Sequence, residues 1–419
     1  MTEEMLETTV DRYHLRAPKS LVKPYHLMAL ATGSYEWPER ALAREHVAAG
    51  DTVLDFGAGL GIVASDIADS EAKAKVYSIE PAHASYLAAR DTLALNRSDT
   101  IELRHGLVQS RAGAARNPDP VLYKDDENYL GHGQSIATGS GAESEHPPVM
   151  LLDDLIAETA PTVLNIDIEG GEADIFEGVD LSGVRTVIVE FHPDILGIDG
   201  CRAVADTLIA AGLALDFDAF YHTTGLFQRA PGSTLALPED RAAFDRLLEY
   251  AMAPDNVRPR FRKAAYAAHP HNLYLRYRNF LRDWTDGEAP QAVVRTCRNS
   301  PFAALARSTA TNIALERQNI AAARILCDTV SPRQRTGFDH FLNARVLLAE
   351  GQQEQALGVV RRACTGFPAF GPAHLLRGYL AAASGDMAQA KQAVDSASRA
   401  YVPAPEEDIR TARAEIGLD

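Results

Sequence analysis

The sequence has 419 residues, more than one hydrophobic core usually supports, so two or three domains are expected. Its composition, 46% hydrophobic and 23% charged, is that of an ordinary globular chain. A formal charge of −16 excludes a generic polyanion binder and argues against a nucleic-acid partner, because neutralising phosphates takes a basic surface. The one dense basic cluster, Arg258, Arg260, Arg262 and Lys263, reads as a solvated helix face.

Residues 1–49 are read as a helical lead-in. Their start, MTEEMLETTVDRYH, is acidic and lacks the apolar centre of a signal peptide, and no stretch of the chain approaches the length of a membrane span. The four cysteines, Cys201, Cys297, Cys327 and Cys364, form no CxxC pair. Buried free thiols in a reducing, cytoplasmic setting are therefore expected.

From 50 to 235, short apolar runs alternate with helical patterns. Predicted strands are 52–56, 75–79, 100–104, 163–168, 186–191, 213–217 and 224–229, and predicted helices are 62–70, 82–96, 172–177 and 202–211. Strand, helix, strand at this rhythm predicts a mostly parallel α/β sheet covered on both faces. Only residues 218–223 separate the last two strands, too few for a crossover helix, so these should pair antiparallel. A seven-stranded, Rossmann-like parallel sheet closed by an antiparallel hairpin resembles the S-adenosylmethionine (SAM) methyltransferase fold. Residues 112–148, rich in Gly, Ser, Asp and Pro, interrupt the rhythm as either a disordered insertion or a lid. Tyr123, Tyr129 and His132 favour a lid.

Residues 236–300 read as a helical connector and 301–419 as helical repeats. AEGQQEQALGVVRRA (349–363) recurs as ASGDMAQAKQAVDSA (383–397), pairing Gly351 with Gly385, Ala356 with Ala390 and Ala363 with Ala397. A weaker copy, LERQNIAAARILCDT (315–329), lies upstream by the same offset. Small residues at fixed places in this period resemble tetratricopeptide repeats; a generic Ala-rich bundle is the plainer alternative. Such repeats would dock a protein partner, form a homodimer or recognise an extended acceptor.

The sharpest chemical signal is TVLDFGAGLGI (52–62), a strand running into Gly57, Gly59 and Gly61 and then a helix. Glycines there let the backbone turn tightly and approach a ligand. A dinucleotide fingerprint wants its third glycine one place later, where Ile62 stands, so a nicotinamide enzyme is disfavoured. The spacing resembles SAM-binding loops, with Asp55 at the strand end. Glu80 ends the next strand, where a carboxylate can accept hydrogen bonds from both ribose hydroxyls.

LLDDL (151–155) leads into VLNIDIEGGEADIFEGVDLSGVRTVIVEFHPDILG (163–197). This resembles the FkbM-type methyltransferases, in which one strand ends in D-[VI]-E-G-x-E and the next in E-x-H. GSYEWPE (33–39) also looks like that family and brings Glu36 in as a cofactor-binding candidate. The resemblance spans roughly residues 30–230 and departs at Asn165, where the family usually has lysine, which bears on substrate choice.

Asp167 and Glu169 end one strand, and Glu190 and His192 end its neighbour, at the carboxyl edge where such sheets bind ligands. Removing a proton from a hydroxyl acceptor takes a base or a metal, and His192 is the natural base. Asp167 would contact SAM, orient the acceptor or help hold a divalent cation, for which an oxygen-rich group suits magnesium. The bland alternatives are a turn hydrogen bond for His192 before Pro193, and helix-start roles for Glu169 and Glu172. The resemblance implies O-methylation of a sugar, glycan or natural-product-like acceptor. Rival readings are a non-catalytic interaction protein and an N-methyltransferase.

Overall fold

Residues 5–18 alternate buried and exposed side chains, the two-residue period of a strand rather than the 3.6 of a helix. The lead-in expected to be helical therefore opens with an antiparallel hairpin, β1 (Met5–Val10) and β2 (Tyr13–Pro18), and only then enters α1 (Pro24–Thr32). Its buried positions, Leu6, Val10, Tyr13, Leu15 and Ala17, are spaced by polar residues, and its turn at Asp11-Arg12 carries no glycine to announce it. The computed structural model describes residues 4–418 except 71, 97–98, 125–133, 136–143, 255–257, 273, 277, 279–302 and 331–334. These form two units, Glu36–Asn279 and a second made of Met1–Tyr35 with Phe280–Asp419.

The unit Glu36–Asn279 is built on a seven-stranded sheet. After α2 (Trp37–His46) come β3 (Thr52–Phe56), α3 (Ile62–Ala68), β4 (Lys75–Glu80), α4 (His83–Leu95) and β5 (Ile101–His105). Next are β6 (Leu107–Gln109), α5 (Arg111–Arg116), β7 (Leu122–Lys124), β8 (Gln134–Ser135), β9 (Ser144–Glu145) and β10 (Val149–Leu151). The chain returns through α6 (Leu152–Thr159), β11 (Val163–Ile166), α7 (Glu172–Ile175), β12 (Thr186–Glu190), α8 (Pro193–Ala210), β13 (Ala214–Tyr221) and β14 (Thr224–Gln228). Helices α9 (Pro238–Met252) and α10 (Arg258–Ala268) follow.

The sheet order is β13-β14-β12-β11-β3-β4-β5. Strands β12, β11, β3, β4 and β5 run parallel, and β14 pairs antiparallel with both β12 and β13, as the short 218–223 connection requires. The middle strands are apolar on both faces: Val53, Leu54, Val76, Val163, Leu164, Val187 and Ile188 are buried. The chain leaves β3 towards β4 on one side and later comes back to β11 on the other. The strand order thus reverses between β3 and β11, which opens a crevice at their carboxyl ends.

Two local features depart from the expected pattern. Helix α8 begins at Pro193 rather than at 202 and is broken at Gly197 (φ 66, ψ 169), which hides its first turn from a periodicity argument. Strands β7 to β9 form a small sheet within the irregular stretch 112–148, while Tyr129 and His132 lie outside the described residues.

The second unit continues with α11 (Ala303–Glu316), α12 (Ile320–Asp328), α13 (Gly337–Ala349), α14 (Gln353–Gly366), α15 (Gly371–Ala383), α16 (Met387–Arg399) and α17 (Glu406–Glu415). The first helices of successive pairs start evenly along the chain, at Ala303, Gly337 and Gly371. Gly351 and Gly385 turn the chain at equivalent places with φ of 77° and 83°, a conformation that favours glycine. Alanines pack the pairs: Ala356, Ala363, Ala390, Ala393 and Ala397 are buried. Cys201, Cys327 and Cys364 are free and buried. Among the described residues, no helix is long and apolar enough to cross a membrane.

Within this unit the hairpin turn caps a helix: the Gly337 N–H donates to Asp11 Oδ1 at 2.6 Å, and the Asp11 N–H donates to Gly366 O at 2.9 Å. Burial pushes the Asp11 carboxyl from 3.8 to about 7, against the lowering effect of the Gly337 N–H. A carboxyl raised on folding makes ionisation oppose the folded state, so this penalty is absent below pH 3.8 and grows as pH rises to about 7. Asp11→Asn keeps an acceptor and removes the charge. It should melt a few degrees above the parent at about pH 8 and lose that advantage near pH 4. A melting difference independent of pH would contradict this account.

Candidate active site

The site begins where β3 ends. Gly57 turns the chain at φ 93°, and a Cβ there would lie 2.0 Å from the Asp167 carbonyl oxygen. The loop from β11 crosses it closely: the Asp167 N–H donates to Phe56 O at 3.0 Å. Gly61, at φ 75°, starts α3 against Leu93. Gly59 is also left-handed, at φ 53°, and its N–H donates to Glu80 Oε2 at 2.8 Å. The other Glu80 oxygen accepts the Ala82 N–H at 2.9 Å, so the carboxylate ties the glycine loop to the end of β4. Burial raises the Glu80 carboxyl from 4.5 to about 7, although both backbone donors oppose the shift. Gly57, Glu80, Pro81, Leu107, Asp167 and Glu169 are among the walls of one pocket.

Asp55 is placed beneath this loop rather than along the pocket. It is buried, accepting hydrogen bonds from Ser78 Oγ at 2.5 Å and Asn165 Nδ2 at 2.8 Å. Burial raises its carboxyl from 3.8 to about 6, with Asp167 adding to the shift. Asn165, at the departure from the family pattern, thus serves as a neutral donor to a buried acid.

Beyond Asp167 the backbone takes a second unusual turn. Glu169 has φ 51°, a left-handed conformation costly for a residue with a side chain, and Gly170 follows at φ 96°. The result brings Asp167, Glu169 and His192 together, with one ligand atom of each within 4.8 Å of the others. His192 Nε2 is 3.4 Å from both Asp167 Oδ1 and Glu169 Oε2. On the other edge of the ring, Nδ1 is 2.9 Å from Oε1 of the fully buried Glu172, which also accepts the Ile168 N–H at 3.3 Å. Burial pushes the His192 pKa down, but hydrogen bonding and charge from Asp167 and Glu172 outweigh it and hold the ring well above its usual range.

A second acidic group adjoins the first. Glu36, Glu39 and Glu190 each offer a carboxylate oxygen within 4.8 Å of the others. Glu39 Oε1 accepts from Thr224 Oγ1 at 2.6 Å and Glu190 Oε1 from Thr223 Oγ1 at 2.7 Å. Burial raises Glu39 well above its usual value, with Glu190 and Asp167 contributing. Burial, then Asp167, raises Glu190 to about 8. Helix α2, which carries Glu39 and follows directly on Glu36, is fixed by Arg40 and Arg44, each donating to Asp66 of α3 at 2.6 Å. Glu36 stands in the acidic group with Glu39 and Glu190. Sequence reasoning missed Glu39, which lies one helical turn after Glu36 and shares its face.

A glycine loop at the strand-order reversal, an acidic residue ending the second strand and a polar group at the carboxyl edge define a Rossmann-like, ligand-binding α/β domain. Residues 55–218 match the family model of the methyltransferase FkbM domain, so the chain carries such a domain over that stretch. No curated protein matches the chain. Among solved structures, the chain is similar to precorrin-6y C5,15-methyltransferase from Geobacter metallireducens GS-15, with 13% identity and a TM-score of 0.29, covering 48% of this chain and 78% of that one. An uncharacterised protein from Listeria monocytogenes serotype 4b matches at 11% identity and a TM-score of 0.29, covering 64% and 96%. At these TM-scores neither likeness bears on function.

Because Glu80 shapes the loop and retains lone pairs for a ligand, Glu80→Ala should weaken S-adenosylhomocysteine binding by ~10- to 100-fold in calorimetric titration. Unchanged affinity would remove Glu80 from the cofactor site.

Proposed function

We propose that this chain is a SAM-dependent O-methyltransferase acting on a hydroxyl of a sugar, glycan or natural-product-like acceptor. The observation that carries this reading is the Gly57 approach to the Asp167 carbonyl, where no Cβ fits, beside Glu80 on one side and two acidic groups on the other. The residues present fit SAM. Gly57, Gly59 and Gly61 would leave room for it, and Glu80 would take its ribose hydroxyls on the lone pairs left by Gly59 and Ala82. Bound SAM supplies an electrophilic methyl group on sulfur.

The chain's own residues then orient the acceptor and take its proton. The expectation that His192 is the base shifts in emphasis, because Glu172 holds its Nδ1 while Nε2 faces Asp167 and Glu169. His192 thus fits better as a positioning residue that keeps those two carboxylates converged. Asp167 and Glu169 orient the acceptor. Glu190, at the end of the neighbouring strand β12 and steadied by Thr223, receives the hydroxyl proton in its ionised form, which a carboxyl raised to about 8 populates at mildly alkaline pH. The evenly spaced helix pairs are read as tetratricopeptide-like repeats that would bind a protein partner, a second copy or the acceptor's extended part.

Glu190→Gln should lower methyl transfer to hydroxyl acceptors by ~10²- to 10⁴-fold while S-adenosylhomocysteine binding is kept. Transfer is measured on hydroxyl and amine acceptors in parallel. A retained rate on hydroxyls, or activity only on amines, would overturn the O-directed reading.

A further inference from the structure

The carboxyl edge of β11 and β12 gathers more negative charge than the visible contacts of its polar atoms explain. His192 is 6% exposed, yet the nearest partners of its Nε2 are the long contacts to Asp167 Oδ1 and Glu169 Oε2 at 3.4 Å, and that Asp167 oxygen is itself buried with no closer partner. Buried polar atoms that meet only at this long range are poorly satisfied, and an ion bound beside them would satisfy both. Glu169 Oε2 completes a triangle at 3.4 Å from the same nitrogen. It is brought there by a left-handed backbone at φ 51°, a local strain that the surrounding fold maintains.

From this geometry we propose that Asp167, Glu169 and His192 form a binding site for a hard divalent cation of the magnesium or manganese class. Ligands at about 2.1 Å from such an ion lie roughly 3.0 Å apart when adjacent, so a small inward or outward shift of these side chains accommodates it. Two carboxylates and one imidazole favour magnesium or manganese over thiophilic metals, and the set contains no cysteine. The far side of the ring has the support a metal-bound histidine requires: Glu172 receives Nδ1 at 2.9 Å and is itself anchored by the Ile168 N–H, which fixes Nε2 as the ligating atom. Three protein ligands leave coordination positions open, and an acceptor hydroxyl occupying one of them would be polarised for loss of its proton. That last role alone rests on the methyltransferase reading, since the site itself is defined without it.

Mn²⁺ is titrated into the purified full-length protein without SAM and followed by electron paramagnetic resonance. One tightly held ion per chain is expected, with nitrogen coupling from an imidazole in the pulsed spectrum. Asp167→Asn and Glu169→Gln should each weaken binding more than tenfold, His192→Gln should abolish the nitrogen coupling, and Glu172→Gln should weaken binding by ~10- to 100-fold. Mg²⁺ should displace the ion. Mn²⁺ remaining free at millimolar concentration with the parent protein, or bound Mn²⁺ without nitrogen coupling, would overturn the site. Both decisive readouts use the parent protein, so they stand even if a variant fails to fold. Failure of metal binding is also a separate result from failure of methyl transfer.

Discussion

The approach of two backbones, Gly57 at the end of β3 and Asp167 at the end of β11, is the constraint on which the site depends. These strands are neighbours in space though far apart along the chain, and the strand order reverses between them. Any side chain at position 57 would collide with the Asp167 carbonyl. With only a hydrogen there, both strand ends close onto the same crevice. The glycine loop faces one side of it and the acids that follow β11 and β12 face the other. Glu80 then locks the loop through Gly59 and Ala82, so that the pocket and the polar group are two faces of one contact.

The acidic groups follow from the same geometry. Ends of adjacent parallel strands bring Asp167, Glu169, Glu190 and His192 together, and Glu36 and Glu39 join them from outside the sheet. Crowding in a buried place raises Glu39 and Glu190, each pushed further by its acidic neighbours. His192 is held protonated against the opposing effect of burial, because Asp167 and Glu172 favour its charged form. One imidazole thus balances part of a charge cluster that burial alone would not tolerate.

What was legible in the sequence was local. Gly57, Gly59, Gly61 and Glu80 sit at spacings that a strand–turn–helix–strand unit dictates, and the central strands announce themselves as apolar runs of the right length. The antiparallel ending followed from a connection too short to cross over. The rest depended on distance or backbone shape. Glu39 joins the site through Thr224, on a strand remote in sequence, and nothing near Glu39 signals that. Asp55 looks like a ligand residue by position, yet its partners are Ser78 and Asn165 beneath the loop. The hairpin at residues 5–18 gives little local signal, because polar residues separate its buried positions and its turn holds Asp11 in a left-handed conformation without glycine. Helix α8 concealed its first turn behind the break at Gly197.

The buried acids also set two demands on the chain at odds. Glu39, Asp55, Glu80, Glu169 and Glu172 are all nearly inaccessible, and a neutral side chain of similar shape would sit more comfortably at several of these places. Selection for a sturdier fold alone would therefore erode this edge of the sheet first, exchanging acids for amides or aliphatics one at a time. The carboxyl edge is thus where the chain's polar chemistry and its folding stability pull in opposite directions. A thermostability screen blind to activity would be drawn to these same positions.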